Sequence, residues 1–119
     1  MSTSCLIAIK TEDGYLASYC HWDGYPDYMY PMLTKNYNSE ELARKLIDFG
    51  DASSINKKLE PTSDDHSFGH SEAEVCVFYH RDKHDPWNEC EPIYYATKES
   101  MQRMMSYVYV WENNHWEAI

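Results

Sequence analysis

Tyr19-Cys20-His21-Trp22-Asp23-Gly24-Tyr25-Pro26 separates what comes before a corner from what comes after it. The residues leading in, Tyr15 to Trp22, have strand-like composition. Asp23-Gly24 is a turn pair, because glycine tolerates positive φ and aspartate can hydrogen-bond its own backbone two residues on. Pro26 holds Tyr25 extended and is expected to forbid a helix from starting there. The segment reads as a strand running into a rigid aromatic corner. If the strand persists to the turn, His21 and Asp23 share a side, since strand side chains alternate with period two. The eight residues mix Tyr and Trp rings with an imidazole, a carboxylate and a thiol, a combination that packing alone does not require. Two readings stand together here. One is a structural corner, with rings plugging a core edge and Asp23 capping a turn. The other is a functional rim on a rigid scaffold.

Before the corner, Cys5 to Lys10 alternates weakly, with Cys5, Ile7 and Ile9 on one face, and reads as a strand. Glu12-Asp13-Gly14 turns the chain back into Tyr15–Trp22, and Asp-Gly between two such runs is a strong hairpin signal. After the corner, the apolar run Asp27 to Leu33 is interrupted by Pro31, which suits the first turn of a short helix. Asn38 with Glu41 marks the start of a longer helix, roughly Ser39 to Phe49, with Leu42, Leu46, Ile47 and Phe49 as its buried stripe and Gly50 as its left-handed stop.

A polar, acidic connection then fills about 51–72, a length uncommon in a compact domain unless functional or mobile. Val75 to His80 alternates as a third strand, Arg81 to Glu91 is a charged loop with Pro86-Trp87 at its tip, and Ile93 to Ala96 is a short strand. Thr97 caps a second helix with Met101, Met104 and Met105 facing inward. Asn113-Asn114 turns Tyr107–Glu112 into His115–Ala118. The order ββα–ββα–ββ predicts one α+β domain over residues 1–119, with a mainly antiparallel sheet and two helices packed on one face.

The chain has 119 residues and a formal charge of −10, from 20 acidic against 10 basic side chains. That balance argues against direct nucleic-acid binding, which needs a basic face, and against an anionic membrane surface. The acidity concentrates between Glu60 and Glu91, where nine carboxylates face only Arg81 and Lys83. Eleven Tyr and four Trp against three Phe make much of the apolar area amphipathic, as on binding faces. No apolar run approaches spanning length, and Met1-Ser2-Thr3-Ser4 lacks the basic start of a signal peptide, so the expected location is the cytoplasm. Cys5, Cys20, Cys76 and Cys90 lack paired spacing and are expected to be free, mostly buried thiols.

Six histidines invite a metal reading. Yet Cys76 and His80 on one strand would stand roughly 13 Å apart, and no Cys-x-x-Cys or His-Glu-x-x-His occurs, so neither a metal nor another cofactor is expected. A hydrolase would need His21 or His80 beside Asp23 or Asp82. If the corner folded against His80-Arg81-Asp82, the resulting pocket would offer Arg81 to a phosphate and Trp22 or Tyr25 to a base. The structural counterpart is an ion pair from Arg81 to Asp23 that pins the corner.

Cys20 to Pro26, the helix end Leu46 to Ile55 with its Gly50-Asp51-Ala52-Ser53-Ser54, Tyr79-His80-Arg81-Asp82 and Tyr107 to Trp111 together resemble a family of small, mostly uncharacterised bacteriophage and prophage proteins marked by His-Trp-Asp-Gly-Tyr-Pro. The similarity runs through most of the chain. It departs at Tyr28-Met29-Tyr30, where the family is richer in glycine, and at His80, where a glycine often precedes Arg-Asp; both add bulk near the rim. The resemblance implies an accessory protein of a mobile element. The expected role is non-enzymatic: binding and inhibiting a host protein or complex, foremost a defence component in the manner of an anti-CRISPR. The alternatives are a protein that sequesters a nucleotide signal and a small metal-assisted hydrolase. The candidate binding residues are His21, Trp22, Asp23, Tyr25, His80, Arg81, Asp82 and Trp87, and self-association is left open.

Overall fold

In the computed structural model, which describes residues 3–119, strand β1 (Cys5–Lys10) and strand β2 (Tyr15–Cys20) form the expected antiparallel hairpin, with Cys5 opposite Cys20 and Lys10 opposite Tyr15. Met1 and Ser2, and with them the start of the expected domain, lie outside the described residues. Five consecutive residues of β1, Cys5 to Ile9, are buried. That is the mark of a central strand covered on both faces, and it corrects the expectation of helices on one face only. Cys5, Ile7 and Ile9 pack with residues of helix α1 (Pro26–Asn36) and helix α2 (Glu40–Asp48), while Leu6 and Ala8 pack around Met101 of helix α5 (Lys98–Met104).

The remaining strands are β3 (Ala52–Ser54), β4 (Val77–Phe78), β5 (Ile93–Tyr95), β6 (Val108–Glu112) and β7 (His115–Ala118). The sheet runs β4-β3-β2-β1-β6-β7, and β5 shares the outer edge of β2 with β3. Pairings β1–β6 and β2–β3 are parallel and the other four antiparallel, so the sheet is mixed with antiparallel contacts in the majority. Two further short helices, α3 (Tyr79–Lys83) and α4 (Trp87–Cys90), bring the helices among the described residues to five, where the sequence suggested two and a short helical turn near Pro31. The radius of gyration, 13.4 Å, is that of one compact α+β domain of this length.

Local chemistry explains where elements begin. Helix α1 starts at Pro26, contrary to expectation: Tyr25 is indeed extended (φ −72°, ψ 152°), but as the residue before the first helical turn, where proline's missing N–H costs nothing. Helix α2 is capped by Ser39, not Asn38; Ser39 Oγ accepts the Leu42 N–H over 3.1 Å. Its inward face is Ala43, Leu46 and Ile47, while Leu42 is exposed. Gly50 follows at φ +86° and also has no room for a Cβ, which would lie 2.5 Å from Cys90 O. Thr97 caps α5 as read, but only Met101 is fully inward; Met104 is 61% exposed. Asn113 and Asn114 take φ of 56° and 63°, the type I′ geometry that matches hairpin twist.

The largest departure is at Val75–His80. Only Val77–Phe78 pairs as strand, and the chain enters α3 at Tyr79. Asp82 causes this switch: its Oδ2 accepts the Phe78 N–H over 2.8 Å, satisfying a donor at the helix entrance. Tyrosine hydroxyls then tie loops to the body. Tyr28 donates to Ile55 O at 2.7 Å, Tyr37 to Asn56 O, Tyr30 to Trp116 O at 3.2 Å and Tyr109 to Gly24 O at 2.7 Å. The four cysteines are free and buried.

Candidate functional site

The corner is pinned by backbone contacts from two segments, β3 and the chain leading into β1. Past the end of β2, His21 N–H donates to Ala52 O and Trp22 N–H to Ser53 O, both at 3.0 Å. Gly24 N–H donates to Thr3 O at 2.7 Å, and Gly24 lies so close to β1 that a Cβ would stand 2.8 Å from Cys5 Cβ. The left-handed residue of the turn is Asp23 (φ 59°), not Gly24; aspartate is among the few residues that accept this region readily. Because β2 ends at Cys20 and Asp23 is left-handed, His21 and Asp23 are not same-side strand neighbours.

On this frame the aromatic side chains face solvent. Trp22 is 44% and Tyr25 39% exposed, and Asp23 is exposed beside them. His21 is held in place: its Nδ1 lies 2.7 Å from Tyr19 Oη, and its ring meets the Trp22 ring edge-on at 4.7 Å. The rim continues into α1, where Asp27, Tyr30 and Pro31 face β7 across an open groove of about 990 Å³. Its walls come from positions some ninety apart in sequence, which is why no local pattern pointed to it.

The second group of expected site residues lies elsewhere and divides in two. Asp82 is buried, and Arg81 is half-buried with its guanidinium turned to internal partners. Arg81 Nε donates to Asp82 Oδ1 at 2.9 Å, Nη2 donates to Asp82 Oδ2 at 3.1 Å and to Cys76 O at 2.9 Å, and Nη1 donates to Leu59 O. The guanidinium also lies over the Phe49 and Phe78 rings, 5.2 and 4.9 Å from their centroids. An arginine engaged in this way has no free fork for a phosphate. The expected Arg81–Asp23 pair does not form; Asp82 takes its place.

Asp82 is buried, and although burial alone would raise its pKa, the hydrogen bonds from Arg81 and from the Phe78 N–H hold the carboxyl below its ordinary range. His66 completes the cluster. Its side chain is almost wholly buried, and Nδ1 accepts the Glu72 N–H at 2.9 Å, which places the proton of the neutral ring on Nε2. Nε2 lies 3.2 Å from Asp82 Oδ1 but off the line of a hydrogen bond, so this contact is electrostatic. Glu72 in turn accepts from the N–H groups of Thr62 and Ser63 at 3.0 and 2.8 Å. The long acidic connection is thereby stapled to α3 through His66 and Arg81, while Glu72 ties the connection to itself. Nothing in the sequence around His66 gave a sign of its part in this network, whose partners Glu72 and Asp82 lie six and sixteen positions further on.

His80 and Trp87 stay outside. His80 Nδ1 donates to Asp85 O at 2.8 Å, its ring meets Trp87 at 5.1 Å, and together with Asp48, Phe49, Arg81 and His84 they line an open cavity of about 630 Å³. None of His21, Trp22, Asp23 or Tyr25 lines it, so the two groups do not share a pocket. With His80 on a helix, Cys76 and His80 are not strand neighbours. Among the described residues, no three of His, Cys, Asp and Glu converge as a metal site would require. No helix among them is long and apolar enough to cross a membrane.

Comparison with protein-family models, curated proteins and solved structures finds no match to this chain.

Proposed function

We propose that this chain is a binding protein of a bacteriophage or prophage that acts in the host cytoplasm by occupying a host protein, foremost a defence component, without catalysis. The observation that carries this reading is the contrast between the two sets of residues. The groups with chemical reactivity, Arg81, Asp82 and His66, are locked into structural contacts. The groups suited to recognition, Trp22, Tyr25 and Tyr30, are exposed on a corner fixed by backbone hydrogen bonds. Large aromatic rings on a rigid frame lose little entropy on binding and dominate interface energetics. The experiment is affinity capture from host lysate with the native protein and with a Trp22→Ala/Tyr25→Ala variant. A stoichiometric partner held by the first and lost by the second supports the reading; no partner across several hosts sinks it.

A second reading, sequestration of a nucleotide signal, draws on the 630 Å³ cavity where Trp87 and His80 offer rings for stacking. Arg81 is no longer available as its phosphate anchor, so this reading rests on the rings alone. Calorimetry with cyclic and ADP-ribose-type nucleotides against the native protein and Trp87→Ala separates it from the first.

A further inference from the structure

We propose that the free edge of β7 and the facing side of α1 form a docking groove for an extended, lysine- or arginine-rich segment of the partner protein, which joins the sheet as an additional strand. The proposal rests on the binding reading above and gives that reading a place and a partner chemistry.

The hydrogen-bond phase of β7 can be worked out. A two-residue type I′ turn at Asn113-Asn114 makes Glu112 and His115 a hydrogen-bonded pair. Alternation then makes Trp111–Trp116 and Tyr109–Ala118 non-hydrogen-bonded pairs, and the Ile119 N–H to Val108 O bond of 2.9 Å fixes the same phase. The main-chain N–H and C=O of Trp116 and Ala118 therefore point away from β6. On that side, among the described residues, β7 has no neighbouring strand. Tyr30 Oη donates to Trp116 O, and among the described residues no backbone hydrogen bond reaches the N–H of Trp116 or of Ala118. With only Trp116 O engaged, by a side chain that an incoming strand could displace, an edge of this kind is a template for another strand.

The space in front of this edge is open. The groove of about 990 Å³ has Pro26, Asp27, Tyr30 and Pro31 on one wall and the β7 segment on the other. The two prolines offer no N–H that would compete for an incoming strand. Besides the Tyr30 phenol, the ionisable side chains of the lining are Asp27, Glu117 and His115, whose Nε2 sits 3.4 Å from Glu117; among the described residues no Lys or Arg contributes. In a chain of charge −10, this lining favours a cationic segment. The exposed ring of Tyr30 supplies a face for a cation as well. The same charge disfavours a second copy of this chain, because edge-to-edge pairing of two β7 strands would bring two acidic grooves together.

Ala118→Pro is the decisive variant. It removes an outward N–H while leaving the β6 ladder intact, and edge strands tolerate proline at such positions; Glu117→Pro, which removes an inward N–H, is the destabilising control. The probe is a short capped peptide alternating lysine with valine, compared with its glutamate counterpart and with a form N-methylated at alternate residues. The lysine peptide should bind the native protein at physiological salt, and the other two should not. Ala118→Pro should weaken binding about five- to tenfold, and Asp27→Lys/Glu117→Lys, two changes at exposed side chains that leave the backbone alone, by more than tenfold. Failure of the lysine peptide to bind, equal binding of the N-methylated form, or indifference to both variants overturns the proposal. So does sedimentation of the native protein as a dimer that Ala118→Pro converts to monomer. A host partner captured equally by native protein and Ala118→Pro would overturn the groove while leaving the binding reading in place.

Discussion

Tyr109 Oη donates a 2.7 Å hydrogen bond to Gly24 O, joining residues 85 positions apart. The tyrosine is buried in the parallel partner of β1, and the bond fixes the exposed corner to the centre of the sheet. Burial accordingly pushes the phenol pKa well above its ordinary value. Tyr109→Phe keeps the ring and deletes the one side-chain donor to that carbonyl among the described residues, leaving a buried acceptor unpaired at a cost of about 1–3 kcal/mol. The expected result is a Tm lower by about 5–10 °C, with faster amide exchange at Gly24, whose N–H holds Thr3 O. An unchanged melt and unchanged exchange would show that the corner is fixed by other contacts.

Arg81→Ala should unfasten the long acidic connection. The guanidinium donates to Leu59 O and Cys76 O while pairing with a buried carboxylate, so its loss leaves Asp82 charged and half-satisfied. Removing one partner of such a pair costs about 3–5 kcal/mol. Limited proteolysis should then cut within residues 55–76 under conditions where the native chain resists. Arg81→Lys should rescue little, because a point ammonium cannot reproduce the fork. Under the nucleotide-binding alternative raised by the sequence, loss of Arg81 would be expected to abolish that binding with the fold intact; the structure predicts damage to the fold first.

Elements set by nearest neighbours were legible in the sequence. The β1–β2 hairpin, the Gly50 stop, the Thr97 cap and the Asn113-Asn114 turn each depend on residues within one turn of chain. Elements set by distant partners were not. Cys5 to Ile9 reads as a one-faced strand until Met101 is known to cover Leu6 and Ala8. His80 alternates convincingly as strand, because nothing local says that Asp82 will reach back to Phe78. The candidate site divides along the same line. The turn around Trp22 and Tyr25 was legible but not whether their rings would plug a core edge or face solvent, as they do, and the partners of Arg81 and His66 come largely from a loop with no periodicity to interpret.

Asp82 should give the fold an acid limit. Its carboxyl is held below the ordinary value of 3.8, so the folded state binds its proton less tightly than the unfolded chain does. The stability it contributes is fully present above the ordinary aspartate range and is lost as pH falls through the lowered pKa. Asp82→Asn should remove that dependence and lower stability at neutral pH, because the Arg81 charge loses its partner. Denaturant melts from pH 6 down to pH 2 test this; parallel curves for the two proteins would exclude Asp82 as the acid-sensitive group.

Asp51 should act in the opposite sense. Its Oδ1 accepts the Tyr19 N–H at 3.0 Å, and it faces a cavity of about 320 Å³ lined also by Tyr79, Asp85 and Glu89, with no cation among the lining residues. Burial raises its pKa above the ordinary 3.8, and the single hydrogen bond from Tyr19 only partly offsets that. The folded state therefore binds this proton more tightly than the unfolded chain. The penalty for the charge is complete above the raised pKa and is relieved as pH falls through it. Asp51→Asn keeps an oxygen for the Tyr19 N–H and carries no charge, so it should raise the Tm at pH 7 by on the order of a few degrees. The gain should shrink as Asp51 of the native chain protonates, and it should vanish at a pH above that at which Asp82 fails, because one pKa is raised and the other lowered from the same starting value. A gain that persists to pH 3 would mean that packing or hydrogen bonding, not relief of a buried charge, accounts for the effect.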